Sequence, residues 1–160
     1  MNEHLPRFIV AAGAAVGDRI ELAADEAKHA RVRRLRAGDA VALFDGRGRS
    51  YVGAIESLAG AGVTVRISAE RPPREGESPL ALTLAIGLLK TDRFEWLIEK
   101  ATELGASAIQ PFTSAHTLAQ PGTARRARWQ QIVLAAAKQC GRSVAPGLAE
   151  PVGFAALLAA

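Results

Sequence analysis

Three polar residues beside apolar segments are the positions of this sequence best suited to form a binding site. Lys90 follows the apolar run 80–89, and Gln139 and Arg142 flank the end of a helical pattern. Side chains at the carboxyl ends of parallel strands lie where open α/β sheets bind their ligands. We therefore predict a polar ligand-binding pocket that contains Lys90, Gln139 and Arg142. The alternative for Arg142 is a cation that only offsets the helix dipole.

A second group of residues has the charge of a nucleic-acid-binding surface. Residues 28–49 carry seven lysines and arginines against Asp39 and Asp45, a net charge of +5 in 22 residues, whereas the whole chain carries +4. Side chains at this density neutralise phosphates and give affinity that is independent of base sequence. His29 adds a group that can stack on a base or form a hydrogen bond. The alternatives are a solvated helix face and, for His29, a structural role.

Short β-type runs dominate the first 71 residues and predict a small all-β domain. A helix from the N-cap Asp25 to Val32 interrupts them, and residues 45–48 fit a hairpin turn. Regularly spaced short strands separated by turns are typical of a small barrel. The predicted strands are residues 7–10, 19–22, 40–44, 51–58 and 63–69.

The remaining residues predict an α/β domain, with residues 72–79 as a polar, proline-flanked linker. The continuously apolar run 80–89 predicts a parallel strand that is covered on both faces. Asp92 and Glu95 predict a capping box at the start of a helix that ends at Gly105. Beyond it we predict a strand at 108–112, a helix at 123–139 closed by Gly141, extended chain at 144–146 and a helix beginning near 151. The predicted domains are therefore 1–71 and 80–160.

Composition and missing motifs exclude several classes of protein. With Cys140 as the single cysteine there is no intramolecular disulfide, and three scattered histidines do not make a zinc site of ordinary spacing. The sequence contains no P-loop, dinucleotide-binding, nucleophile-elbow or zincin motif. No apolar run is long enough for a membrane helix, and the amino terminus lacks the basic and then apolar segments of a signal peptide. We expect a cytoplasmic protein that uses no metal.

Several motifs, in order and at matching spacing, resemble the ribosomal RNA small subunit methyltransferase E family. They occur in segments 7–8, 29–32, 34–39, 45–48, 90–96, 99–105, 129–132 and 137–143. The resemblance implies an N-terminal PUA-like RNA-binding barrel followed by the first part of a SPOUT-type α/β domain, which contains a trefoil knot. It also implies transfer of a methyl group from S-adenosylmethionine to the N3 atom of a uridine in 16S rRNA of the small ribosomal subunit, by a homodimer.

The resemblance also assigns roles to individual residues. Methylation at N3 requires that uracil lose a proton, so the site must stabilise the deprotonated base. Arg142 is the candidate for that charge, with Gln139 and Lys90 as the other catalytic candidates. His116 and Thr117 stand where the family usually has an arginine and a serine. The residues implied in RNA binding are Arg7, His29, Arg31, Arg33, Arg34, Arg36, Arg47, Arg93 and Lys100.

Two motifs that build the family's cofactor site, a glycine-rich turn and a later Arg-containing stretch, do not occur in these 160 residues. We expect a truncated member of the family that is inactive at this length, with the cofactor-binding residues beyond Ala160. Two other interpretations remain open. One is a non-catalytic RNA-binding module that has lost the cofactor half, and the other is an interaction protein that dimerises through its α/β half.

Overall fold

The structure, a computed structural model, describes residues 5–72, 77–115, 117 and 121–159. Residue contacts divide the chain into two units, Met1–Glu75 and Gly76–Ala160, and this division falls within the segment 72–79. The elements of the first unit are β1 (Arg7–Ile9), β2 (Arg19–Glu21), α1 (Ala24–Val32), β3 (Ala40–Phe44), β4 (Ser50–Ala59) and β5 (Gly62–Arg71). Those of the second are β6 (Thr83–Gly87), α2 (Thr91–Glu103), β7 (Ala108–Thr113), α3 (Thr123–Cys140), β8 (Gly147–Leu148), β9 (Val152–Gly153) and α4 (Phe154–Leu158).

The first unit is built on a five-stranded sheet in the order β1-β3-β4-β5-β2. β1 pairs with β3 in parallel, and the other neighbours are antiparallel. Buried and less buried residues alternate along β4 and β5, so one face of these strands supplies the core. The five predicted strands are confirmed to within two residues at each end, and the turn at 45–48 joins β3 to β4 as predicted.

Helix α1 packs two alanines, Ala27 and Ala30, into the core of this unit. Its N-cap is Ala23 and has no side-chain capping bond, so the prediction that Asp25 caps the helix is wrong. Asp25 instead lies in the first turn, where a carboxylate interacts favourably with the helix dipole. The helix therefore begins two residues earlier than an N-cap at Asp25 would allow.

Gly53 occupies a position in β4 that leaves no room for a side chain. The register against β5 shifts between Val52 and Gly53, and a Cβ at Gly53 would lie 2.5 Å from the main-chain oxygen of Arg66. We expect Gly53→Ala to lower the free energy of unfolding of the first unit by about 2–3 kcal/mol, since the backbone must shift. Amide hydrogen exchange in β4 and β5 measures this loss.

Gly62→Ala is the matched control for Gly53. A Cβ at Gly62 would meet the flexible end of the Glu21 side chain at 3.0 Å, which can move aside. We expect a cost below about 1 kcal/mol for this variant. Equal losses in the two variants would contradict the close backbone approach at Gly53.

The second unit is a parallel sheet in the order β6-β7-β8, with β9 also paired to β7. Helices α2 and α3 pack against the sheet through a core that includes Phe94, Ile98, Ile109, Trp129 and Val133. The rings of Phe94 and Trp129 lie 4.5 Å apart between centroids and join the two helices. No helix in the described ranges is both long enough and apolar enough to cross a membrane.

The predicted helix ends are confirmed, whereas the predicted helix start is wrong. Gly105 follows the end of α2 and Gly141 closes α3, both with a positive φ, of 96° and 85°. The N-cap of α2 is Lys90 without a side-chain capping bond, and Asp92 lies in the first turn. The capping box does not form because Glu95 bonds instead to Arg128 of α3.

Strand β6 is shorter and less covered than its apolar sequence predicts. The ladder spans Thr83–Gly87, and Thr83 and Ala85 are exposed. The helices cover one face of β6, and in the described residues the opposite face is not covered to the same extent. The prediction of a parallel strand is therefore confirmed, and the prediction of burial on both faces is wrong. The helix predicted to begin near 151 begins at Phe154, after the unpredicted strand β9.

Candidate functional site

Helix α1 ends in a turn that carries Arg33, Arg34 and Arg36, here called the basic turn. All three residues are exposed, and none of their guanidinium groups has a side-chain or main-chain partner in the described ranges. Asp39 is the acid nearest in sequence, but its Oδ2 accepts the main-chain N–H of Arg36 at 2.7 Å. The basic turn therefore presents three uncompensated positive charges to solvent.

The backbone of the basic turn is held by two hydrogen bonds that reverse the chain. The N–H of Arg34 donates to the carbonyl of Arg31 at 2.8 Å, and the N–H of Leu35 donates to that of Ala30 at 3.2 Å. Leu35 packs against the core of the first unit. Since Leu35 points inward, its neighbours in the turn are left at the surface, where their side chains can reach a ligand.

The other cations predicted to bind RNA in the first unit differ in their surroundings. Arg47 is exposed, and its guanidinium forms no hydrogen bond or ion pair with a described residue. The guanidinium of Arg31 donates to the carbonyl of Gly62 at 2.8 Å. Arg7 lies over the Phe44 ring at 4.6 Å, and the ring of the half-buried His29 meets that of Phe8 edge-on at 5.8 Å. The side chains of Arg7, His29 and Arg31 thus make contacts within the protein. The guanidinium of Arg47, like those of the basic turn, has no described partner.

Three other arginines on the sheet of the first unit are paired with carboxylates. Arg49 donates two bonds to Glu70, at 3.0 and 3.1 Å, and these bonds lower the pKa of the Glu70 carboxyl below its ordinary value. Arg19 and Arg66 share Glu56, whose pKa is lowered mainly by its bond from Arg19. The cations of the first unit that are exposed and have no described partner are then Lys28, the basic turn, Arg47 and Arg71, and three of these six charges lie in the basic turn.

In the second unit a cleft of about 650 Å³ lies between the amino-terminal halves of α2 and α3. It follows the carboxyl end of β6, where open α/β sheets bind ligands. Arg128 bonds to the Glu95 carboxylate at 2.6 and 2.8 Å, and this bond lowers the pKa of Glu95. The lining residues are Thr91, Asp92, Glu95, Ala124, Arg125 and Arg128.

The cations of α2 have unequal freedom to bind a ligand. Lys90 and Arg93, at the start of the helix, are exposed and have no partner among the described residues. Lys100 bonds to Glu99 at 2.8 Å and to Glu103 at 2.9 Å, and both bonds raise its pKa. Its charge is compensated within its own helix, so Lys90 and Arg93 are the better placed of the three to meet an anionic ligand.

Arg142 is held in a network that ties the start of the second unit to the end of α3. Its guanidinium bonds to Glu77 at 3.0 Å and to the carbonyls of Thr102 and Ala106 at 3.0 and 2.9 Å. The N–H groups of Ser143 and Val144 also donate to Glu77. Burial alone would raise the pKa of Glu77, but these N–H groups and the guanidinium together lower it. These are structural contacts, made by a side chain that is 12% exposed.

Within one chain the structure does not bring Lys90, Gln139 and Arg142 together. Lys90 precedes α2, whereas Arg142 bonds to Thr102 in the last turn of that helix and to Ala106 beyond it. A 13-residue helix spans about 18 Å, which is the separation along α2 of its two ends. Gln139 is exposed in the last turn of α3. Their catalytic roles stay predictions, and His116 lies outside the described residues.

Comparison with protein-family models decides the class of protein. A model described as an RNA methyltransferase domain matches residues 76–160, and one described as an RNA methyltransferase PUA domain matches residues 16–68. The chain belongs to the RNA methyltransferase family. The predicted fold class, a PUA-like domain followed by SPOUT-type α/β structure, is confirmed for this RNA methyltransferase chain.

Relatives of this RNA methyltransferase chain carry the name ribosomal RNA small subunit methyltransferase E, which confirms the resemblance. The protein from Synechocystis sp. is 40% identical over 124 residues, covering 78% of this chain and 40% of the relative. The one from Bacillus subtilis is 37% identical over 86 residues, covering 51% of this chain and 34% of the relative. The chain thus spans less than half the length of these two relatives.

A solved structure supports the same assignment for the fold. The crystal structure of a ribosomal RNA small subunit methyltransferase E from Neisseria gonorrhoeae, bound to S-adenosyl methionine, superposes with a TM-score of 0.89 at 33% identity. The match covers 97% of this chain and 65% of that one. Nearly all of the present sequence therefore has a counterpart in that enzyme's fold.

Proposed function

We propose that this chain carries the RNA-binding unit and the first part of the methyl-transfer unit of an enzyme that methylates N3 of a uridine in 16S rRNA, within the small ribosomal subunit. The observation that carries the proposal is the uncompensated charge of the basic turn, in a chain whose second unit belongs to an RNA methyltransferase domain family. Enzyme and substrate would meet in the cytoplasm, where ribosomes are assembled.

The first unit would bind the rRNA backbone. Arg33, Arg34, Arg36 and Arg47 have guanidinium groups that can pair with phosphates without first breaking a bond inside the protein. Arg7, His29 and Arg31 would complete this RNA-binding surface, since each is at least partly exposed. Binding of this kind positions the substrate and weakens as salt rises.

The second unit would hold the uracil and favour its deprotonated form. S-adenosylmethionine, when bound, supplies an electrophilic methyl group and needs no metal. Lys90 and Arg93 are two exposed cations near the carboxyl end of β6, and either charge would stabilise a uracil anion. Gln139 can contribute a hydrogen bond, and Arg142 would act by fixing the segment around Glu77.

A homodimer would account for the separation of the candidate residues. Because Lys90 lies at one end of α2 and Arg142 at the other, one chain does not assemble a site from both. In a dimer, the Lys90 end of α2 in one copy could lie beside the Arg142 end in the other copy, and the two residues would then share one site. Gel filtration with light scattering measures the association that this arrangement requires.

The methyl donor is expected to bind weakly to these 160 residues. The chain covers 65% of the relative that binds S-adenosyl methionine, and we propose that the donor pocket lies mostly in the part of the family fold that it does not cover. Isothermal calorimetry of the chain with S-adenosylmethionine is therefore expected to give no saturable heat below millimolar donor. A micromolar dissociation constant would contradict this placement of the pocket.

A second candidate function is an RNA-binding module without catalytic activity. The guanidinium groups of the basic turn support it, because they lie in the first unit and can bind RNA without a donor pocket. Incubation of the chain with small ribosomal subunits and methyl-labelled donor separates the two. Labelled 16S rRNA supports the enzyme, whereas salt-sensitive binding without label supports the module.

A further inference from the structure

Arg34 has a backbone conformation that arginine rarely adopts. Its φ is 57°, and it is the one residue other than glycine with a positive φ in the described ranges. In the left-handed region the Cβ of an L residue crowds the neighbouring carbonyl, which glycine avoids. An arginine here strains the backbone of the first unit.

The same chain uses glycine at the equivalent position of another helix. At the end of α2, Gly105 donates to Thr102 and Ala106 donates to Ala101, the same pair of bonds that Arg34 and Leu35 make at the end of α1. This pair of bonds defines a Schellman motif, whose left-handed residue is usually glycine. Gly105 has a φ of 96° in that role. The geometry of the turn alone therefore favours glycine at position 34.

The side chain of Arg34 makes no contact inside the described protein that explains why an arginine occupies this strained position. Its side chain is exposed and has no described partner. The negative end of the α1 dipole attracts a cation, but Arg33 is in the same place with an ordinary φ of −75°. Residues held in a strained backbone conformation are concentrated at active sites and ligand-binding positions.

We propose that Arg34 is the arginine of the basic turn that determines RNA affinity, through a direct two-bond contact between its guanidinium and a backbone phosphate. A planar guanidinium can donate two parallel hydrogen bonds to one phosphate, which lysine cannot. The inference rests on the proposed RNA binding of the first unit. It adds that Arg34 contributes more than Arg33, a neighbour of equal charge, and that the strained backbone is retained for this contact.

The test compares Arg34→Gly with Arg33→Ala, which removes the same charge from an unstrained position. Arg34→Gly is expected to raise hydrogen-exchange protection of the Tyr51 and Ile55 amides about threefold, because strain is relieved. It is also expected to weaken binding to a 16S rRNA fragment about tenfold at physiological salt. Arg33→Ala is expected to weaken binding by about twofold to threefold, and Arg34→Lys to recover only part of the loss.

The possible results separate this inference from the function on which it rests. If the unchanged chain binds rRNA and Arg34→Gly binds no more weakly than Arg33→Ala, the inference is overturned while the proposed function stands. Full recovery of affinity in Arg34→Lys would overturn the two-bond contact. Lower hydrogen-exchange protection in Arg34→Gly than in the unchanged chain would contradict the claim that Arg34 strains the backbone. If the unchanged chain shows no salt-dependent RNA binding, the proposed function fails as well.

Discussion

Replacement of Arg142 by alanine is expected to lower the free energy of unfolding of the second unit by about 3 kcal/mol. The change removes an ion pair to Glu77 and bonds to the carbonyls of Thr102 and Ala106, in a site where the Arg142 side chain is 12% exposed and that of Glu77 is 20% exposed. Two carbonyls and a carboxylate then lose a partner that water replaces only in part. Urea unfolding followed by tryptophan fluorescence reports this unit, because both tryptophans, Trp96 and Trp129, lie in it.

The pH dependence of Glu77→Gln provides the control for Arg142→Ala. The native pKa of Glu77 lies below its ordinary value of 4.5, so its stabilising effect is present above pH 4.5 and is lost as the pH falls through the native pKa. The stability difference between the unchanged chain and Glu77→Gln should therefore be constant near neutrality and shrink in acid. An Arg142→Ala variant as stable as the unchanged chain would contradict the structural role of the network.

Removal of two charges from the basic turn is expected to have the largest effect on RNA binding. The double variant Arg34→Ala with Arg36→Ala should bind a 16S rRNA fragment about tenfold to thirtyfold more weakly at physiological salt. The slope of log affinity against log salt should become less negative by about 1.5, since two phosphate contacts are lost. Fluorescence anisotropy over a range of salt concentrations measures both quantities.

A charge-matched control shows whether position or total charge is responsible. The double variant Arg19→Ala with Arg66→Ala also removes two positive charges, but from arginines that are already paired with Glu56. We expect its affinity to stay within about twofold of the unchanged chain, with little change in salt slope. Equal losses of affinity in the two double variants would mean that RNA binding depends on the net charge of the chain and not on the position of the arginines.

The strands and helices were largely predictable from the sequence because each signal was local. Alternating apolar residues define β4 and β5, and glycines past the ends of α2 and α3 stop those helices. The helix starts were not predictable in the same way. Glu95 satisfies a local capping pattern, but a bond to Arg128, 33 residues away, decides its position. Strands β8 and β9 have two residues each and carry no periodic signal.

The candidate site was predictable in its charge but not in its contacts. The density of arginines at 28–49 locates the basic turn, and the sequence also places Asp39 near it. That Asp39 binds a main-chain N–H instead of a guanidinium depends on the folded turn. No sequence pattern predicted that Glu77 pairs with Arg142, since Glu77 lies in a polar segment 65 residues away. The positive φ of Arg34 was hidden too, because sequence patterns lead one to expect glycine at such positions.

The central claim is that the first unit binds rRNA through uncompensated arginines. The direct test is the affinity of the unchanged 160-residue chain for a 16S rRNA fragment, measured by fluorescence anisotropy from about 50 to 200 mM salt. Three or four phosphate contacts by the basic turn and Arg47 predict a linear fall of log affinity with log salt, with a slope near −3. A slope close to zero, or no binding at the lowest salt, would contradict it.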